Sequence, residues 1–452
     1  MTSTRTAYHA RWVLPIASSA IADGAIVVAG SVLQYVGPSM RAVADRHVQL
    51  GNAVLLPGLV NAHSHLELTA LRGFLEGLDF RDWLRVLTAA RCVVLTPDAL
   101  MDSATIGIHE GLLAGITTFA DCTESSVPLA AMRAAGVRGI GYIEVFGPDP
   151  AGCDASMRAL QKSANASRAL DTDLVRTGVS PHAPYTVSAR LFRAVADWVR
   201  EEHLPLAVHV AEGVAEVELI RDGAGPFAER LRARGIEVRG TGHSPVRLLA
   251  DTGILDTQAL LIHGVHMDAA DAALVAQHGA SLVHCPISNA KLGHGIAPLE
   301  LFMSAGIATG LGTDSVASND RMDILSEARQ ATLFQSIRQM KPDALSAADA
   351  LRLATIGGAS ALRMQAISGT LEAGKQADVA AFPLDRIEAL PGYDPTVSMV
   401  HALAGAVTAQ LVLVAGVARV RDGHIVEADP DLRLRFEQIG RRLDEWRRTT
   451  GL

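Results

Sequence analysis

Val54-Leu-Leu-Pro-Gly-Leu-Val-Asn-Ala-His63-Ser-His65 is an apolar run that ends in two histidines spaced i and i+2. The run over residues 55–60 is too short for a helix and reads as a buried strand. Along a strand, residues two apart share a face. Both imidazoles therefore converge at the strand's C-terminal end, where α/β-barrel enzymes carry their active sites. The chain has 16 histidines, so one such pair is weak evidence by itself. What strengthens it is the recurrence of the same pattern further along.

Apolar runs followed by a polar or histidine residue occur at 55–60, 116–120, 139–145, 174–179, 206–210, 259–262, 281–283 and 307–311. Between most of them lie apolar residues at helical spacing, as in 188–201 and 268–278. Strands alternating with helices imply βαβ units, a parallel sheet and, with eight units, a (β/α)8 TIM-type barrel of the α/β class. The two ends differ from the middle. Short β-type runs at 26–29 and 32–36, and again at 378–382, 409–414 and 417–421, are separated by turn residues. The expected organisation is a small composite β-domain from residues 1–56 and 366–425, a (β/α)8 barrel over 57–365, and a C-terminal helix over 428–452. That helix is expected from apolar residues at helical spacing within the charged stretch 430–448.

Composition fits this architecture and excludes others. Hydrophobic residues make up 49% of the 452, with 40 glycines but only 5 tyrosines and 4 tryptophans, which suits aliphatic packing in a parallel α/β core. A net charge of −8 with no basic stripe argues against nucleic acid as a partner. The 4 cysteines form no CxxC pair, which reads as free thiols in a reducing compartment. The apolar stretch 25–29 is short and reads as a strand, and no run is long enough to span a bilayer. The expectation is a cytoplasmic protein without a membrane partner.

The other strand ends carry chemistry of the same kind. His209-Val-Ala-Glu212 sets an imidazole and a carboxylate side by side, as a metal ligand and a proton-transferring group would be. A solvated Glu at a helix N-terminus is the competing reading. In His263-Gly-Val-His266, His263 follows the apolar run directly, and His266 reads as a loop residue. Gly310-Leu-Gly-Thr-Asp314 brings a carboxylate to the end of the last strand, where an N-cap is the competing reading. Ser180-Pro-His182-Ala-Pro-Tyr185 and His284-Cys-Pro-Ile-Ser288-Asn289 follow strands four and seven. The latter lacks the PCxxC of the zinc nucleoside deaminases, which excludes that family. Titratable groups thus top six of eight expected strands. Imidazoles and a carboxylate without a thiolate suit one divalent metal ion, Zn²⁺ first, with Fe²⁺, Mn²⁺ or Co²⁺ as alternatives.

Taken in order, Pro57-Gly-Leu-Val-Asn-Ala-His63-Ser-His65, His209-Val-Ala-Glu212, His263-Gly-Val-His266 and Gly312-Thr-Asp314 resemble the amidohydrolase superfamily. Within it the chain is similar to the branch of methylthioadenosine/S-adenosylhomocysteine, aminodeoxyfutalosine and guanine deaminases and triazine hydrolases. The resemblance implies that His63, His65, His209 and Asp314 bind one metal, because His182 stands where binuclear members carry a bridging lysine. It further implies that Glu212 shuttles a proton to a ring nitrogen, that His263 orients the attacking water, and that Asp314 takes that water's proton. A divalent cation lowers the pKa of its water from about 15.7 towards 7, and the resulting hydroxide attacks the amino-bearing ring carbon.

For the substrate, the resemblance implies an adenine-type nucleoside. His182, Asp82 and Trp83 correspond to positions that contact substrate in the adenosine-type deaminases. After Gly136-Val-Arg138 the second arginine expected of S-adenosylhomocysteine deaminases is missing. His65-Leu-Glu67-Leu and Glu144-Val-Phe-Gly147 look more like aminodeoxyfutalosine deaminases, so Glu67 and Glu144 join the expected substrate-binding set, as do Ser288 and Asn289 at the end of strand seven. Aminodeoxyfutalosine is the first candidate, and methylthioadenosine or S-adenosylhomocysteine the next. Two rival classes share these residues: an s-triazine or other heterocycle hydrolase (dechlorination or N-dealkylation), and a non-catalytic barrel scaffold. A homodimer is expected from the frequency of two-fold oligomers.

Overall fold

The computed structural model describes residues 4–451. Residues 1–3 of the expected β-domain and residue 452 of the expected helix lie outside the described residues.

The chain forms a barrel of eight parallel strands: Leu59–Ser64, Ile116–Thr123, Arg138–Val145, Val175–Pro181, Ala207–Val210, Leu260–His263, Ser281–His284 and Thr309–Leu311. Strands one to four form one continuous four-stranded sheet and strands five to eight another. Two single bridges close the ring, Val179 with Leu206 and Ser64 with Asp314. Apolar side chains fill the barrel, among them Val60, Ala62, Ala120, Ile140, Ile262 and Val283. A larger core separates the strands from the surrounding helices. The strands are apolar on both faces because both faces are covered, as parallel sheets require.

The helices obey their sequence signals. In Ala189–Glu202, Ser188 caps the N-terminus by accepting from the Leu191 N–H, and Leu191, Phe192, Val195 and Val199 form the buried stripe. Ala269–Gln277 starts in a capping box between Asp268 and Asp271.

The opening apolar run is two strands, where the sequence suggested one. Ala53–Pro57 pairs antiparallel with Val379–Pro383 in a separate sheet, and the barrel strand begins at Leu59. This nine-stranded sheet joins Arg5–Val13, Ile21–Ala29, Val32–Pro38, Arg46–Gln49 and Ala53–Pro57 to Val379–Pro383, Leu411–Val414, Val417–Arg421 and His424–Ile425. Arg138 opens its barrel strand and so lies at the end away from the strand tips, buried against Asp378 of this sheet with Nε 2.7 Å from Oδ2. The closing helix, Leu432–Thr450, buries Ile439 and Leu443 in a cluster with Trp83, Val86 and Ala90 of the helix Phe80–Val93. Among the described residues no helix is long and apolar enough to cross a membrane.

Candidate active site

At the C-terminal rim, strands one, five, six and eight deliver side chains to one point. The His63 ring centroid lies 4.9 Å from that of His65, 5.0 Å from His209 and 5.8 Å from His263. Asp314 Oδ1 is 3.2 Å from His63 Nε2 and 3.4 Å from His65 Nε2. The candidate ligand atoms of His63, His65 and His209 lie within 4.8 Å of one another, as do those of His63, His263 and Asp314.

The two seams of the barrel fix these residues. The Asp314 N–H donates to the His63 carbonyl (3.0 Å), and the His209 N–H donates to the His182 carbonyl (2.9 Å). Strand eight can approach His63 because residue 312 is glycine: a Cβ there would sit 2.8 Å from the His63 Cβ. Three non-glycine residues at the rim adopt left-handed backbone, Ala211 (φ 51°), His263 (φ 76°) and Asp314 (φ 58°). Such conformations cost about 1–3 kcal/mol each and persist where the surroundings dictate them.

The electrostatics suit a cation. Burial, opposed by Asp314, lowers the His63 imidazole to about 4. Burial and the neighbouring histidines hold His209 well below its ordinary value. Burial pushes the Asp314 carboxyl up, but the bond to His63 and the charges of His63, His263 and His65 outweigh it and keep the group well below the usual range. His209 Nδ1 lies 2.9 Å from the His182 carbonyl, so Nδ1 carries the proton and Nε2 keeps its lone pair. The hydroxyls of Ser288 and Ser318 donate to Asp314 Oδ2. Imidazoles plus one carboxylate fit a divalent ion of the zinc type.

Beside this cluster, Glu212 is buried with Oε1 3.5 Å from His263 Nε2 and 3.4 Å from His294 Nε2. Burial works to raise this carboxyl, and the two imidazoles reverse that and hold it below its ordinary value. Glu212 is therefore an anion ready to accept a proton.

A cavity of about 860 Å³ opens over these groups, within the range that encloses small-molecule ligands. Of the residues expected to bind substrate, His182, Trp83, Glu67 and Glu144 line it. His182 Nδ1 meets Thr186 Oγ1 at 2.8 Å. Glu67 accepts from Arg91 Nη2 at 2.7 Å and from Ser125 at 2.9 Å. Glu144 Oε1 is buried without a hydrogen-bond partner, and burial pushes that carboxyl well above its usual value.

Three expected substrate residues are placed elsewhere. Asp82 sits in the first turn of Phe80–Val93, where it pairs with Arg85 at 3.1 Å while Trp83 turns inward. Ser288 is engaged with Asp314, and Asn289 is buried beneath the rim; neither lines the cavity. Side chains that the sequence did not single out also take part. Arg91, at the cavity wall, could be found only from its distant partner Glu67. Glu216 accepts from the Ala211 and Glu212 N–H groups, and its place three residues after Gly213 is the one available signal. Asp121 accepts from Ser64 and the Leu66 N–H, and His294 touches Glu212; both contacts are long-range.

The sequence matches the Amidohydrolase family over residues 54–419. A 5-methylthioadenosine/S-adenosylhomocysteine deaminase of Nitratidesulfovibrio vulgaris is 32% identical over 430 residues, 93% of each chain. Among solved structures, an adenosine deaminase from Xanthomonas campestris with bound zinc superposes with a TM-score of 0.87 at 29% identity, covering 97% of this chain and 98% of that one. A zinc complex of atrazine chlorohydrolase from Arthrobacter aurescens gives 0.84 at 26% identity, covering 96% and 100%.

Proposed function

Since this chain belongs to the amidohydrolase family, we propose that it is a metal-dependent aminohydrolase that removes the exocyclic amino group of an adenine-type nucleoside. The observation that carries this reading is Glu212, a buried carboxylate flanked by two imidazoles beside a cluster of metal-type donors on the cavity floor.

His63, His65, His209 and Asp314 would hold one divalent cation, zinc first. Such a cation supplies a water activated for attack near neutral pH. The residues of the chain do the rest. Asp314 accepts the proton of the attacking water, and His263 orients that water. Glu212, ionised at rest, takes up the water's other proton and delivers it to the ring nitrogen next to the amino-bearing carbon, which breaks the aromaticity of the ring. The proton on Asp314 leaves with the amine, so water and the aminated ring become the oxo ring and ammonia.

The name of the bacterial relative supports a 5′-substituted adenosine as substrate, and the cavity has room for more than a bare nucleoside. His182, Trp83, Glu67 and Glu144 would contact it. Aminodeoxyfutalosine is the first candidate, supported by Glu67 and Glu144 at the cavity wall, with methylthioadenosine and S-adenosylhomocysteine next. The likeness to atrazine chlorohydrolase supports a second reading, displacement of a ring substituent from an s-triazine.

Metal-quantified protein should release ammonia from one of these nucleosides at about one metal per chain, and Glu212→Gln should abolish the release. Chloride release from a chlorinated triazine without ammonia from any nucleoside would establish the second reading instead.

A further inference from the structure

Glu212 has two imidazole neighbours, and only one of them, His263, belongs to a strand. The other, His294, comes from the turn after the helix Pro286–Lys291. It stands between Gly293 (φ 72°) and Gly295 (φ 110°), backbone shapes that place a single side chain at the apex of the turn. The His294 N–H donates to the Asn289 carbonyl at 2.8 Å, which anchors that turn on the helix before it.

The ring is enclosed from three sides. Its Nε2 lies 3.4 Å from Glu212 Oε1, with a side-chain exposure of 8%. A Cβ on Gly213, the residue after Glu212, would fall 3.1 Å from His294 Nδ1, so the ring rests on the backbone there. The edge of the ring meets Phe80 at 4.8 Å and 84°, and Phe80 opens the helix that lines the cavity.

We infer that His294 is a positioning residue that holds Glu212 Oε1 in place and leaves Oε2 to exchange the proton with the substrate. The geometry is selective. His263 and His294 both approach Oε1, at 3.5 and 3.4 Å, and His294 Nε2 has no other polar partner, so one carboxylate oxygen has an imidazole within ion-pair reach on two sides. With one imidazole the group can pivot about that contact; with two it is fixed in plane. A general acid misplaced by about 1 Å loses most of its effect. The contact with Phe80 ties His294 to the helix that lines the cavity.

The inference rests on the proposed role of Glu212, so the test separates the two. His294→Phe keeps the ring and its packing but has no donor. His294→Gln restores an N–H that can reach Oε1. Each variant is assayed for metal content, kcat and KM on the deaminated nucleoside, and its crystal structure is determined.

We expect H294F to keep its metal, to lose about tenfold or more in kcat with KM within about twofold, and to show Glu212 pivoted about its His263 contact. H294Q should recover most of the rate and the Glu212 position. If H294F fails to fold, H294A carries the same comparison. Wild-type kcat in H294F with Glu212 unmoved, or H294Q as slow as H294F, overturns the inference. If the wild type releases no ammonia from any nucleoside, the proposed function alone fails, and the Glu212 position in the variant structures still decides the role of His294.

Discussion

At the scale of single residues, the burden falls on Glu212. Removing a carboxylate from water ordinarily favours its neutral form, yet here His263 and His294 keep it ionised despite burial. Glu212→Gln keeps shape and volume while removing the exchangeable proton. It should lower kcat by about 10²–10⁴-fold while metal content stays at the wild-type level; an intact rate would move the proton transfer to another group. Asp314 has the other charged role, and Asp314→Asn should lose metal as well as rate, as metal analysis of dialysed protein would reveal. Five of these groups were legible from sequence alone: His63, His65, His209, His263 and Asp314 each follow a buried run, and the tip of a parallel strand points into the barrel mouth. Asp82 is placed differently, for the converse reason. On a helix one residue turns by about 100°, so Trp83 takes the inward direction and Asp82 pairs with Arg85.

At the scale of elements, each strand end that carries a proposed metal ligand is held by a buried carboxylate from elsewhere. Asp121 of strand two accepts from Ser64 Oγ (2.9 Å) and from the Leu66 N–H (2.6 Å). Glu216 accepts from the Ala211 N–H at 2.8 Å and the Glu212 N–H at 3.0 Å, which fixes the left-handed turn at Ala211. Glu327 accepts from the Ile287 N–H and from Asn319, whose amide in turn donates to the Thr313 carbonyl. These acids support backbone, and that backbone aims the ligands. Partners of this kind typically contribute 10- to 100-fold to metal affinity. Asp121→Ala should therefore weaken metal binding by about that factor with the helical circular dichroism unchanged, measured by competition with a chromophoric chelator; unchanged affinity would mean that Ser64 and Leu66 are held by strand pairing alone. Asp121 and Glu327 do not announce themselves in sequence, and Glu216 does so only by its place three residues after Gly213, since each is known by the N–H groups it meets after folding. Element existence was far more legible, because helical periodicity and caps are local: the stretch 188–201 is the helix Ala189–Glu202. The strand boundary at Pro57 was not legible, since one apolar run serves two sheets.

At the scale of the whole molecule, the sheet built from both chain ends is fastened to the barrel below the site. A metal ion held at the proposed site would stabilise the fold from the other end: a ligand at 1,000 times its Kd adds about 4.1 kcal/mol, so chelation should lower Tm reversibly, and calorimetry with and without added zinc would measure it. The fastening itself is the Arg138–Asp378 pair, with side chains only 3% and 2% exposed. The guanidinium donates twice, through Nε at 2.7 Å and Nη2 at 3.2 Å, and Asp378 Oδ1 also accepts from the Ala415 N–H at 2.7 Å. One carboxylate thus joins barrel strand three to the hairpin Leu411–Val414 and Val417–Arg421. Bringing both charges out of water consumes most of their mutual attraction, so the intact pair adds little net stability. Removing one partner is different, because the other charge stays buried without compensation. Arg138→Met should therefore destabilise the protein by about 3–5 kcal/mol in urea unfolding. Arg138→Met combined with Asp378→Asn should cost clearly less than the sum of the single changes, which is the signature of a direct coupling. Additive losses would show that sheet and barrel are held together by their shared apolar surface, with the ion pair a bystander.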